Sequence, residues 1–308
     1  MTAQPDAFQE LAQRIIPGSR LLRAWPLTGG VSAEITALEI ERRDGSRAKL
    51  VVRRHGEIDR NHNPHVARDE YRLLHIAQAH GLATPKPYYF DESCDLFPTP
   101  LVVIEFIEGE TVFAPGDLSA YLAQMVGALA QIHTVKESPE LAFLLRQDMG
   151  VGKSPATLDA SMHEADIREA LAAWPFTQDN ASALLHGDYW PGNVLWKGGK
   201  IAAVIDWEDA RVGDPLADLG NARLEVLWAF GTEAMTEFTR HYQSLTAVDL
   251  TKLPYWDLRA ALRPCGKLST WGFDAETDQR MRERHALFVD RALATKGELN
   301  PRSARRSG

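Results

Sequence analysis

The sequence predicts an α+β fold in two lobes. A small N-terminal lobe is built on a mostly antiparallel sheet with one helix, and a larger C-terminal lobe is mainly helical. Three observations predict this. Short runs rich in β-branched and apolar residues, separated by turn dipeptides, crowd the first hundred positions. Long patterns with a helical apolar stripe dominate after Glu108-Gly109. No internal repeat or low-complexity linker interrupts either region. The chain has 308 residues, enough for one large domain or two of ordinary size. The division expected is 1–107 and 108–308.

The elements follow in order. The opening MTAQPDAFQELAQRI carries Asp6 and Glu10 and no apolar central run, so it reads as an amphipathic helix and not as a secretory signal. Residues 21–27, 34–40 and 50–53 read as strands. Gly29-Gly30 separates the first two and Asp44-Gly45 the next two. Residues 64–81 read as a helix, with Val66, Tyr71, Leu73, Leu74 and Ala77 as its stripe and Gly81 as its stop. Strands at 88–91 and 101–106 complete the sheet. In the second region helices are predicted at 118–133, 167–174, 216–230, 234–245, 258–271 and 278–293. Short strands are predicted there at 194–196 and 203–205. The basic end, 301–308, reads as a frayed tail rather than a nucleic-acid arm.

Composition excludes several classes. Hydrophobic residues make up 44% and charged residues 25%, ordinary values that argue against disorder and fibrous repeats. The apolar runs fall well short of the ~20 residues that cross a bilayer. A net charge of −8 argues against a general nucleic-acid binder. Cys94 and Cys265 are too few and too distant for a disulfide framework or a CxxC metal site, so a reducing, cytoplasmic location is expected. Residues 1–107 carry 13 Lys+Arg against 14 Asp+Glu, whereas 108–295 carry 17 against 27. The acidic second lobe either draws a cationic substrate or merely keeps the protein soluble.

The chemistry is concentrated in Leu184-Leu185-His186-Gly187-Asp188-Tyr189-Trp190-Pro191-Gly192-Asn193-Val194-Leu195-Trp196. It continues in Ala203-Val204-Ile205-Asp206-Trp207-Glu208. Asp188 and Asn193 share one loop. Asp206 ends an apolar strand, where a carboxylate is costly to hide unless it binds something. Asp, Asn and Asp form a hard oxygen set suited to Mg²⁺, with one carboxylate left over as a base. Neither cysteine lies in this stretch, which disfavours soft-metal chemistry.

This motif pair resembles that of the aminoglycoside phosphotransferase family, which shares its fold and catalytic layout with protein kinases. The catalytic-loop spacing H-R-D-x-x-x-x-N is matched with Gly187 in place of Arg. Asp206-Trp207-Glu208 stands where kinases have D-F-G, and Gly213-Asp214-Pro215-Leu216-Ala217-Asp218-Leu219-Gly220 is also similar. The resemblance implies a protein-kinase-like two-lobed fold. It further implies ATP- and Mg²⁺-dependent transfer of the γ-phosphoryl group to a hydroxyl of a small molecule, aminoglycoside-like or another polar metabolite. In that reading Asp188 accepts the proton, Asn193 and Asp206 hold Mg²⁺ on the ATP phosphates, and His186 and Asp218 buttress the loop. Glu208 and Asp209 face either substrate or solvent.

The resemblance also assigns the nucleotide to the first lobe. Gly29, Gly30 and Ser32 stand where a kinase loop covers phosphate, without the G-x-G-x-x-G form, and a plain hairpin turn is the alternative. Arg53 takes the place of the phosphate lysine, with Arg54 and Lys49 as rivals, and Glu70 is its expected partner. Glu105, Phe106 and Ile107 resemble the hinge whose backbone binds adenine. A catalytically silent nucleotide-binding pseudokinase is the alternative function, favoured by Arg53 and the sparse glycines. Outside this set, Gly150-Val151-Gly152-Lys153-Ser154 imitates a phosphate loop but has Gln147 where glycine is needed and Pro155 after the serine. His62 and His65 read as loop residues, and His133 as a structural histidine. Trp174, Trp228, Trp256 and Trp271 read as core or pocket wall.

Overall fold

The structure, a computed structural model, describes residues 5–27, 33–148, 150–174 and 178–299. The chain forms two compact units. The first takes Met1–Glu110 together with Leu195–Lys197 and Ile201–Glu208; the second takes Thr111–Val194, Gly198–Lys200 and Asp209–Gly308. The basic tail at 301–308 and the glycine-containing turn at 28–32 lie outside the described residues.

The first unit holds helix α1 (Pro5–Ile15), strands β1 (Arg20–Pro26), β2 (Ala33–Glu41) and β3 (Arg47–His55), helices α2 (Glu57–His62) and α3 (Val66–Ala79), and strands β4 (Pro87–Asp91) and β5 (Leu101–Glu105). The five strands form one antiparallel sheet in the order β1-β2-β3-β5-β4. Period-two alternation decides its faces. Leu38 and Ile40 of β2, Leu50 and Val52 of β3, and Leu101 and Val103 of β5 form one core with Phe8, Leu11 and Ala12 of α1. Each such large buried side chain contributes about 1.5–3 kcal/mol. On β3, Val51 and Arg53 alternate with these core residues, and Arg53 is bonded to α3. That helix stops where Gly81 N–H bonds to the Gln78 carbonyl and Leu82 N–H to the Ala77 carbonyl.

The second unit is mainly helical. It contains α4 (Leu118–Ile132), α5 (Glu164–Ala172), α6 (Leu216–Phe230), α7 (Thr232–Leu245), α8 (Leu253–Leu262) and α9 (Ala275–Leu299). A small sheet of β6 (Leu145–Arg146), β10 (Arg211–Gly213) and β7 (Ala183–Leu185) lies in the order β6-β10-β7. Strand β8 (Val194–Lys197) pairs with β9 (Lys200–Val204), and all but Val194 and Lys200 of these two strands belong to the first unit. Gly198 and Gly199 join them at φ +58° and +74°, the two positive angles a tight two-residue turn needs. The Asp117 carboxylate caps α4 by accepting from Ala120 N–H at 2.9 Å.

Four local expectations change. Residues 258–271 are not one helix: α8 starts earlier, at Leu253, and ends at Leu262, because Pro264 has no N–H and constrains Arg263 before it. Helix α2 forms where His62 suggested a loop, although Asn63, Pro64 and His65 stay non-helical. Strands β6 and β10 are too short for periodicity to reveal. Helix α9 extends beyond the predicted 278–293 at both ends. Among the described residues no helix is long and apolar enough to cross a membrane.

Candidate active site

The expected site residues fall into two groups, one in each unit. In the first, Arg53 is the organising residue. Its side chain is 7% exposed, and it donates from Nη1 to Glu70 Oε1 at 3.0 Å. Nη2 donates to Asp206 Oδ1 at 3.0 Å and to Glu208 Oε2 at 2.7 Å. Burial acts to lower the Arg53 pKa, but Glu70, Asp206 and Glu208 outweigh it and raise it further. Burial acts to raise Glu70, and the Arg53 guanidinium overrides that and holds the carboxyl below its usual range.

The rival cations are engaged elsewhere. Arg54 donates to Glu34 and lies over the Phe97 ring. Lys49 is paired with Glu108 at 3.0 Å, as is Lys197. The Phe106 N–H donates to the Lys49 carbonyl, and Glu105 Oε2 accepts from Lys86 N–H at 3.3 Å. Glu105, Phe106 and Ile107 border a cavity of about 490 Å³ with Lys49, Tyr88 and Glu108. Arg53, Glu70 and Asp206 are not among the residues that line it. Gly29, Gly30 and Ser32 lie outside the described residues.

Asp206 has φ +67°, a left-handed backbone that a non-glycine residue adopts at a cost of about 1–3 kcal/mol. Such strain accumulates where a side chain must point in a set direction. The Asp206 side chain remains 38% exposed despite its bond to Arg53, so it is open to a further cation.

In the second unit, β7 and β10 pair through Leu185 and Arg211 and deliver the loop 186–193. Buried Asp218 of α6 staples its start. The carboxylate accepts from His186 N–H at 2.6 Å and from Gly187 N–H at 2.9 Å, and lies 3.3 Å from His133 Nε2. Burial acts to raise the Asp218 pKa, but His133 and these N–H groups hold it low. His133 in turn meets the Tyr242 hydroxyl at 2.6 Å, so it is a structural histidine. His186 is fully buried, and its Nδ1 accepts from Asp188 N–H at 3.3 Å. Tyr189 is buried as well and donates to the Met125 carbonyl.

Gly187 explains the departure from H-R-D. Its φ is +83°, and a Cβ there would sit 2.0 Å from the Asp209 carbonyl oxygen. No side chain fits at this step of the loop. Beyond it, Asn193 Nδ2 donates to the Asp188 carbonyl at 2.9 Å and to Asp188 Oδ2 at 3.2 Å. With the amide nitrogen so committed, its oxygen is the atom left to face a cation. An amide oxygen and a carboxylate oxygen such as Asp206 offers are each the donor type a hard divalent ion takes.

Two residues that sequence reasoning missed surround Asp188. Arg263, at the end of α8, donates from Nη2 to Asp188 Oδ1 at 3.0 Å and from Nη1 to the Gly187 carbonyl at 3.0 Å. Glu225 of α6 has its pKa pushed up to about 8, by burial first and by the Asp188 charge second, with Arg263 opposing. A single acid inside Leu224-Glu225-Val226-Leu227-Trp228 was a usable signal for Glu225. Arg263 gave none. The segment after Gly152-Lys153-Ser154 is irregular and opens no helix, so no phosphate loop stands there.

The model of the phosphotransferase enzyme family matches residues 26–262. The chain belongs to this family. Acyl-CoA dehydrogenase family member 11 of Rattus norvegicus is 25% identical over 227 residues, which is 66% of this chain and 28% of that protein. Hygromycin-B 4-O-kinase of Escherichia coli is 31% identical over 87 residues, 28% of this chain and 24% of the kinase. The matches thus span under a third of these relatives' lengths. The solved structure of amicoumacin kinase in complex with AMP-PNP, Ca²⁺ and its ligand superposes with a TM-score of 0.62 at 16% identity, covering 94% of each chain. That likeness shows the fold, the kinase-like one expected for aminoglycoside phosphotransferases. The antiparallel N-terminal sheet and helical C-terminal unit agree with it.

Proposed function

We propose that this phosphotransferase uses ATP and Mg²⁺ to phosphorylate a hydroxyl of a small polar molecule. The observation that carries the reading is the Asp188–Asn193 loop. The Asp188 carboxylate accepts from the Asn193 amide, and a buried aspartate, Asp218, fixes the loop's backbone. Residues 1–107 grip the nucleotide and 108–308 supply the base and the acceptor pocket. We assign the enzyme to the cytoplasm, where ATP is supplied and Cys94 and Cys265 stay as thiols.

Each residue's task follows from its chemistry. The acceptor oxygen attacks the γ-phosphorus, the bond from that phosphorus to the β–γ bridging oxygen breaks, and ADP leaves with the bond electrons. Asp188 takes the hydroxyl proton. Asn193 and Asp206 would each offer an oxygen to the metal, whose charge would offset that of the phosphates. Arg53, fixed by Glu70, presents a guanidinium to phosphate oxygens. The backbone of Glu105, Phe106 and Ile107 receives the adenine. Catalysis of this kind is mostly positioning and charge neutralisation.

The test joins a thermal-shift titration with Mg-ATP to an ADP-release assay across hydroxylated acceptors. Wild type binds and turns over. Asp188→Ala binds nucleotide with turnover lowered about 10²–10⁴-fold. Normal turnover in that variant refutes the base assignment. Binding without turnover on any acceptor selects the silent nucleotide-binding module, which the bonding of Arg53 to three carboxylates favours.

A further inference from the structure

We propose that His55, Asp59 and Glu208 form a divalent-metal site, for an ion of the zinc, cobalt and manganese class, distinct from the one assigned to Asn193 and Asp206. The three residues come from separate places in the first unit. His55 is the last residue of β3, Asp59 lies in the first turn of α2, and Glu208 follows β9. One ligand atom from each lies within 4.8 Å of the others. Ligands about 2.0–2.2 Å from a shared ion stand roughly 3–4 Å apart, so small side-chain rotations complete the set.

The observation that points to a ligand is the state of His55. Its side chain is fully enclosed. Nδ1 lies 3.7 Å from Asp59 Oδ2 and Nε2 lies 3.3 Å from Glu70 Oε2, ion-pair contacts in which neither nitrogen has a well-aligned hydrogen bond. A buried polar group without a well-aligned partner costs up to about 1–3 kcal/mol, and here two carboxylates flank one enclosed ring in that state. A metal on Nδ1 removes that cost for one nitrogen and leaves the other as a donor toward Glu70. That is the arrangement in which a carboxylate orients a ligating imidazole.

Charge points the same way. Arg53 is one cation facing Glu70, Asp206 and Glu208. Asp59, 8% exposed, adds a fourth carboxylate beside His55. Among these groups the carboxylates outnumber the guanidinium by three, a surplus that a dication reduces to one. Glu208 reaches Arg53 through Oε2, and its two-oxygen head can serve both. One imidazole nitrogen with two carboxylate oxygens suits Zn²⁺, Co²⁺ or Mn²⁺ better than Mg²⁺. The bound ion ties α2 and the end of β3 to the segment carrying Asp206.

The experiment uses the full chain, stripped of metal and free of nucleotide, with Co²⁺ alone as the probe. Equilibrium dialysis counts the ion, and visible ligand-field absorption reports its coordination. The expected result is one Co²⁺ per chain with visible bands. Binding weakens at least ~100-fold in His55→Ala and in Asp59→Asn and is retained in Asp206→Asn. Asp206→Asn also separates the two assignments, since it removes the ligand proposed for the nucleotide's metal and leaves this site intact. No Co²⁺ retained below about 1 mM overturns the proposal. Binding that survives both His55→Ala and Asp59→Asn, or that is lost only in Asp206→Asn, overturns it too. If circular dichroism shows His55→Ala unfolded, Asp59→Asn and Glu208→Gln decide by the same criterion.

Discussion

Replacing Arg53 by methionine keeps most of the volume and removes the charge, which isolates the electrostatics of the buried cluster. Glu70 is 3% exposed, and its 3.0 Å bond to Arg53 is the short contact of the pair. Breaking a buried pair by deleting one partner costs about 3–5 kcal/mol, because the other charge is left uncompensated. Asp206 and Glu208 are 38% and 23% exposed, so water takes over their solvation and each adds only about 0–1 kcal/mol. The expected loss is therefore ~3–5 kcal/mol. With a urea m-value of about 3 kcal/mol/M, the midpoint falls by roughly 1–1.5 M. Adding Glu70→Gln to Arg53→Met removes the stranded charge, so the double variant should recover at least ~2 kcal/mol of the single loss. Acid supplies an independent arm. Glu70 has a lowered folded pKa, so its contribution is complete above its ordinary value of 4.5 and disappears as pH falls through the folded value. The gap between wild type and Arg53→Met should shrink in that acid window. A gap under ~1 kcal/mol at pH 7, or one that acid leaves unchanged, refutes the reasoning.

Three further outcomes are expected. Gly187→Ala forces a Cβ against the Asp209 carbonyl and should lower turnover more than ~10-fold with a stability loss of about 1–3 kcal/mol, read by ADP release and thermal melting. Asp218→Asn keeps the shape but weakens the anchor on His186 and Gly187 N–H; kcat should fall ~10–100-fold while the KM for ATP stays within about threefold, read by steady-state kinetics. Glu225 has a raised folded pKa, so the folded state loses ground as pH rises from 4.5 toward about 8. Glu225→Gln should abolish that slope and gain at least ~1 kcal/mol at pH 8, measured by denaturation across pH.

What could be read before folding was what repeats along the chain or sits close within it. Alternation on β3 put Val51 and Arg53 on one face, and that face is where Arg53 meets Glu70 of α3. Asp188 and Asn193 share a loop of fixed spacing, so their contact is nearly local. The single long helix expected over 258–271 overlooked Pro264, whose missing N–H ends α8 at Leu262 and leaves Arg263 as its last cap. Helix α2 was invisible because six residues are too few to show a stripe. His55, Asp59 and Glu208 meet only through the tertiary fold, with 149 positions between the last two.

Charge shows most plainly why counting residues is not the same as knowing a field. Residues 108–295 hold ten more acids than bases, an excess that reads either as a draw on a cationic substrate or as surface that keeps the protein soluble. Around Asp188 the structure has a different balance. Arg263 sits on one carboxylate oxygen at 3.0 Å and offsets part of that charge. Glu225, counted as an anion in the sequence, holds its proton to a higher pH than a free carboxyl because burial and the Asp188 charge both oppose its ionisation. Asp218 spends its charge on two backbone N–H groups and His133, away from solvent. The excess of acid in this unit therefore says little about the potential at Asp188, which depends on Arg263 and on which carboxyls keep their protons.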